Sequence, residues 1–368
     1  MEVEVEQVDK GELTWVSFAT PSADEQLFFG AQPLVPLPER VSAETKRLEK
    51  ELRKMVMQSK SGGTLKAYRT SWIRWVAWAS LRSAQGERTP LLPARPEHVA
   101  LFLVHRSERD GKSQNVAQHA STAINGVHRM HGLPEPAGHL SGAVLSAIRR
   151  QRGKPAVRAV AISVKLVKRL VRRWGAPDAP VFKVMIATVV LTGFAGFFRL
   201  GELLALRVED VVFFERGMRI FVEVSKTDQF RVGAWVVIAA GASTCPVRLM
   251  RRYIALAGVQ GREPLFRTIW RRKIQLEGVL GLGDSALGSK AFHRYFRDAL
   301  VEVGVSQKEV HAYSGHSLRR GGSTAGAQAR VPGHWRQHQG RWKSMESADL
   351  YVGAVAQDAL QLTLSLGL

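Results

Sequence analysis

One cysteine, Cys245, is all the chain contains. Without a second thiol there is no intramolecular disulfide and no thiolate zinc site, and a reducing intracellular setting is expected. No uninterrupted apolar run reaches the ~18 residues a membrane span needs, so no membrane partner is expected. The opening MEVEVEQVDK is acidic, with no basic stretch leading into an apolar one, and does not read as a secretory signal. Also missing are a phosphate-binding Gly-Lys loop, a dinucleotide-binding glycine pattern and a His/Cys metal set. His334 and His338 stand four apart, but Pro332 and Gly333 beside them suggest a loop. Two ligands without a third make no metal site, so neither a metal nor another cofactor is expected.

Acidic residues are scarce as well, 32 Asp+Glu against 53 Lys+Arg, a net of +21 over 368 residues. Residues 1–40 hold eight acids and two bases, a net of −6, which leaves +27 on the other 328. An apolar fraction of 45% argues against disorder and for ordinary cores, two or three of them at roughly 150 residues per domain. So large a positive excess on a chain that folds points to a polyanionic partner, most often nucleic acid.

Along the chain, residues 1–40 read as a flexible acidic leader with Pro21, Pro33, Pro36 and Pro38. From Val41 the pattern is helical. Leu65, Tyr68, Trp72, Trp75 and Ala79 recur at three- and four-residue steps, with Thr64 the expected N-cap. Pro90, Pro93 and Pro96 turn the chain into a helix near Glu97–Arg106, and Val116, Ala120, Ile124 and Val127 mark another over about Ser113–Met130. Residues 41–150 thus form a helical domain whose tryptophans read as core. A basic linker follows over 151–161; Arg149 and Arg150 just before it, with Arg152, Lys154 and Arg158 within it, are expected to meet a phosphate backbone. Lys165 joins them on the next helix, together with Lys168, Arg169, Arg172 and Arg173. Val181–Leu191 reads as buried. Met218–Val224 and Val232–Ile238 have strand composition around a turn at Ser225–Gln229, and helices are expected from Pro246 onward. The last nine residues alternate leucine with Gln361, Thr363, Ser365 and Gly367, which suits an extended segment better than a helix.

A series of basic residues leads to one tyrosine. Arg199 is followed by Glu202; Lys226 sits in the inter-strand turn; His316 and Arg319 are three apart and share a helix face. Trp342 comes 23 positions after Arg319, and Tyr351 nine after Trp342. In these residues, their order and their last two gaps, the chain resembles the tyrosine recombinases, the phage-integrase family. The resemblance runs over about 41–355, and the Ser225–Gln229 turn and the glycines after Arg320 look like the family's eukaryotic mobile-element branch.

That resemblance implies a mainly α fold, an N-terminal helical core-binding (SAM-like) domain over 41–150 plus a mixed α/β catalytic domain over 162–368, mostly helical with a small antiparallel sheet. It also implies a double-stranded DNA partner, a dimer or tetramer assembled on that DNA, and a 3′-phosphotyrosine intermediate formed without metal or ATP. Arg199 and Arg319 would neutralise the non-bridging oxygens of a five-coordinate phosphorus, a task for fixed guanidinium geometry. Tyr351 would attack, His316 would act as base or hydrogen-bond donor, and Lys226 would protonate the departing 5′ oxygen. Trp342 offers an indole N–H and an apolar wall, and Glu202 would hold Arg199 or His316 in place. Tyr295 and Tyr313 are the rival nucleophiles. Two other readings stand beside this one: a type IB topoisomerase-like relaxing enzyme, and a DNA-binding protein that no longer cuts. The expected compartment is the nucleus of a eukaryote or the cytoplasm of a bacterium.

Overall fold

A computed structural model describes residues 23–30, 34, 41–110, 114–153, 158–223, 232–241, 243–271 and 280–352. Lys154, Lys226, the Ser225–Gln229 turn and the leucine-alternating tail lie outside the described residues. The chain divides into two compact units, Met1–Ala156 and Val157–Leu368, each with its own hydrophobic core.

The first unit is helical: α1 (Ala23–Phe29), α2 (Ala43–Gln58), α3 (Gly62–Ala84), α4 (Pro96–Asp110), α5 (Gln114–Met130) and α6 (His139–Arg152). Its core is aromatic. Trp75 is fully buried, stacked on Trp78 at 5.6 Å and edge-on to Phe102 at 5.4 Å. Thr64 is not the N-cap of α3: Ser61 is, its hydroxyl accepting from the Thr64 N–H at 3.2 Å, because Gly62 and Gly63 form the first turn rather than precede it. Within the expected leader, Phe28 and Phe29 of α1 are buried in this core. Consecutive large apolar residues are anchor enough to hold a short helix in an otherwise acidic stretch.

The second unit begins on extended residues, Val160 and Ile162 donating backbone N–H bonds to Ala312 and Ser317. It continues through α7 (Val164–Trp174), α8 (Val181–Ala195) and α9 (Leu200–Leu204) to an antiparallel sheet of β1 (Val211–Phe214), β2 (Gly217–Val222) and β3 (Ala234–Ala239). Its register sets Val211 against Ile220 and Met218 against Ile238, so one face enters the core. Strand β1 went unread in the sequence because its apolar run is only four residues long. Next come α10 (Pro246–Ala257), β4 (Arg267–Arg271), β5 (Leu280–Ala286), α11 (Ser289–Glu302), α12 (Gly315–Gln328), α13 (Gly333–Gly340) and α14 (Met345–Asp349).

The β4–β5 hairpin interrupts the all-helical stretch expected after Pro246. Gly281 and Gly283 disguise it in sequence; here the Trp270 ring packs over Gly281 and supplies the contact that glycine lacks. His334 and His338 are helical rather than in a loop, since Pro332 serves as the N-cap of α13 and starts that helix instead of breaking one. Helix α8 is apolar all round and buried over most of its length, which makes it the central rod of this unit. No described helix is long and apolar enough to cross a membrane.

Candidate active site around Tyr351

Helix α8 ends in a loop that carries Phe197 in the left-handed region at φ 50°, and Arg199 caps α9 in extended conformation. Being outside the helix, Arg199 receives Glu202 back upon itself. Its Nη1 donates to Glu202 Oε1 at 2.6 Å, and its backbone N–H to Oε2 at 3.1 Å. Arg341 Nη2 donates to Oε2 from the other side, also at 2.6 Å. The Glu202 side chain is only 3% exposed. Burial would raise its carboxyl, but Arg341 and Arg199 prevail and hold it below the ordinary carboxylate range.

Helix α12 supplies the second arginine. Ser314 caps it, and His293 Nε2 accepts the Gly315 N–H at 3.0 Å. Gly315 itself abuts Leu200, bringing the start of α12 against the start of α9. His316 is exposed in the first turn; Arg319, one turn deeper, is completely buried. Its guanidinium donates to the Phe197 carbonyl and, at 2.6 Å, to the Gly340 carbonyl, while Nε has no partner. Gly321 and Gly322 make this depth possible. A Cβ at 322 would stand 2.2 Å from the Phe194 carbonyl, and one at 321 only 2.3 Å from that of Ile162. The paired glycines are thus a requirement of close packing.

Trp342 and Tyr351 complete the cluster. The Arg319 Cζ lies 4.2 Å from the centre of the Trp342 ring and 5.0 Å from that of Tyr351, and the two rings are 5.1 Å apart. The Trp342 indole N–H is buried with no hydrogen-bond partner. The tyrosine segment is tied to its own chain: Arg158 and Arg320 both donate to the Leu350 carbonyl at 3.2 Å, and Thr324 Oγ1 to that of Tyr351 at 3.5 Å.

Three guanidiniums around one carboxylate leave a net of two positive charges in a largely buried space. Burial, followed by repulsion from Arg199, pushes the Arg319 pKa down to about 9. A buried excess of this kind is relieved by an anion, and planar guanidiniums suit a tetrahedral oxyanion. The other tyrosines are spoken for by the core or by a neighbour. Tyr253 is fully buried and donates to the Leu265 carbonyl; Tyr295 is buried and accepts from Arg294; Tyr313 packs against the core and Tyr68 belongs to the first unit's.

The expected DNA-contacting residues fare unevenly. Arg149 and Arg150 are exposed on α6, and Lys165 is exposed on α7. Arg152 is half-buried and donates to the Ser107 carbonyl, a tie between α6 and α4. Arg158, though exposed, grips the tyrosine segment through one nitrogen. Among the described residues no three His, Cys, Asp or Glu side chains are grouped to hold a metal ion. Arg341 was missed in the sequence; its one signal there is a charge set between Gly340 and the singled-out Trp342.

No protein-family model matches the chain. A curated protein named integrase/recombinase xerD homolog, from Selenomonas ruminantium, is 28% identical over 313 residues, 83% of this chain and 86% of that one. Two solved structures share the fold. XerH site-specific recombinase bound to difH substrate in a pre-cleavage complex aligns with a TM-score of 0.57 at 14% identity, over 94% of this chain and 97% of that one. The Tn1549 transposon integrase with transposon right-end DNA gives 0.50 at 12%, over 93% and 98%. By the shared fold, the curated relative, and the Arg199, Glu202, Trp342 and Tyr351 side chains gathered around Arg319, the chain is similar to the tyrosine recombinases.

Proposed function

We propose that this protein is a DNA recombinase or integrase that cuts and rejoins strands through Tyr351. The observation that carries the reading is the Tyr351 ring packed on the buried Arg319 guanidinium and the Trp342 indole, beside an Arg199 braced by Glu202. The named relatives, an integrase/recombinase homolog and a recombinase bound to its DNA substrate, support the same reading.

In the proposed reaction the phenol oxygen of Tyr351 attacks phosphorus in line and the P–O5′ bond breaks. One phosphoester replaces another, so no external energy source is consumed. Arg199 and Arg319 take the charge that develops on the non-bridging oxygens. The unpartnered Trp342 N–H is a third donor for the same anion. His316, exposed one turn above Arg319, accepts the phenol proton or donates to the phosphate. Lys226 hands a proton to the 5′ oxygen. The free 5′ hydroxyl of a second strand then reverses the step and releases the tyrosine. Arg149, Arg150 and Lys165 are the exposed bases offered for backbone contact.

Incubating the purified protein with nicked suicide duplexes built from the DNA flanking its gene tests this. Covalent protein–DNA adduct is expected with the natural chain and none with Tyr351→Phe. Supercoil relaxation by a monomer, without joining of two sites, would favour the topoisomerase-like reading; binding with no adduct on any duplex would favour a silent DNA-binding protein.

A further inference from the structure

Glu202 cannot set the direction of Arg199 unaided. Its Oε1 takes the Arg199 guanidinium, but Oε2 is shared between the Arg199 backbone N–H at 3.1 Å and Arg341 at 2.6 Å. Arg341 is fixed independently of the carboxylate. Its backbone sits in the left-handed region at φ 55° where α13 ends, and its N–H bonds back to the His338 carbonyl at 3.0 Å. Nη1 donates to the Gln339 carbonyl at 3.1 Å, and the guanidinium lies 4.9 Å from the centre of the Phe198 ring. Its neighbours serve the other arginine: the Gly340 carbonyl receives Arg319, and Trp342 covers it. Three consecutive residues therefore set the register of both arginines at once.

On the reading that this site cleaves DNA, we infer that Arg341 is a positioning residue, which holds the Glu202 carboxylate so that Arg199 keeps part of its guanidinium turned to the phosphate. A carboxylate released from Arg341 keeps only the Arg199 backbone N–H on Oε2 and loses its charged partner there, in a buried place. The nearest donor is Arg199, and a two-pronged grip on Glu202 would turn its donors away from the reacting oxygens. Lysine cannot replace Arg341, because one ammonium on a flexible stem cannot bond a carboxylate and a backbone carbonyl lying in different directions while its plane stacks on a ring. Removal should therefore slow cleavage while leaving DNA affinity, which rests on many surface contacts, nearly unchanged.

The test measures adduct formation at saturating suicide duplex, duplex Kd and thermal midpoint for the natural chain, Arg341→Lys, Arg341→Met, Glu202→Gln and the Arg341→Met/Glu202→Gln pair. Arg341→Lys, which keeps the charge, should cut the cleavage rate by about ten- to hundredfold with Kd changed less than about threefold. The double variant should be no slower than the slower single one, since both act on one carboxylate. Full activity in Arg341→Lys would show that only charge matters and would overturn the inference. Additive losses would overturn it too, by showing that Arg341 does not act through Glu202. If Arg341→Met does not fold, the lysine variant and Glu202→Gln decide alone, with the lysine variant at the natural thermal midpoint. No adduct from the natural chain sinks both this inference and the proposed function, whereas normal cleavage in the natural chain and in Arg341→Lys sinks this inference only.

Discussion

Arg319 occupies a position that no other side chain could fill with the same effect. It lies between two aromatic rings and two carbonyls, fully buried and still cationic at neutral pH. Arg319→Lys retains charge but cannot serve Phe197, Gly340 and a phosphate together, so cleavage should fall at least about a hundredfold in a single-turnover adduct assay. Histidine 128 poses a different residue-scale problem. It is fully buried in the first unit, its Nε2 accepting the Ala94 N–H at 2.9 Å, so Nδ1 carries the proton and donates to the Ile124 carbonyl at 2.8 Å. Burial pulls its pKa below the ordinary 6.5. The unfolded chain consequently takes up a proton first as the pH drops. The stability His128 contributes is complete above pH 6.5 and declines below it, through the folded-state pKa. Thermal melts between pH 7.5 and 5 should show that decline, and His128→Gln should flatten it; an unchanged slope in the variant would remove His128 as its source.

Among the elements, α12 shows how packing and chemistry are joined. Gly322 permits contact with the end of α8 and with the Phe197 ring, and the Phe197 carbonyl in turn receives Arg319. Gly322→Ala should cost about 1–3 kcal/mol in denaturant unfolding and should also slow cleavage, because the added methyl displaces the carbonyl that aims the arginine. In α3 the stake is stability alone. Trp75→Ala removes a fully buried ring from the aromatic cluster and should cost about 3–5 kcal/mol, with no role in the chemistry of Tyr351. These elements were also unequally legible. Helix α3 could be read because its apolar residues return every three or four positions, and α8 because an apolar run that long has to be buried. The β4–β5 hairpin could not, since glycines stand where β-branched residues would have marked a strand and a tryptophan from the opposite strand makes up the loss.

For the molecule as a whole, the arrangement of the tyrosine segment has a direct consequence. Arg158, Arg320 and Thr324 of the same chain hold Leu350 and Tyr351 against Arg319. If the proposed function holds, each chain should then cleave with its own tyrosine. A mixture of Tyr351→Phe and Arg319→Ala proteins should yield no adduct beyond background, whereas recovery of activity in the mixture would mean that a neighbour donates the nucleophile.

Helix periodicity, the uniformly apolar α8, the basic excess and the ordered series from Arg199 to Tyr351 are properties of the chain read in one dimension, and these the sequence determined by itself. What tertiary structure alone decided is which groups meet. Arg341 and Glu202 are 139 positions apart, as Arg158 and Leu350 are 192 apart, and no local pattern pairs them. Such pairings arise when helices pack closely enough to bury a charge, which then takes whatever partner the neighbouring backbone brings within hydrogen-bonding distance.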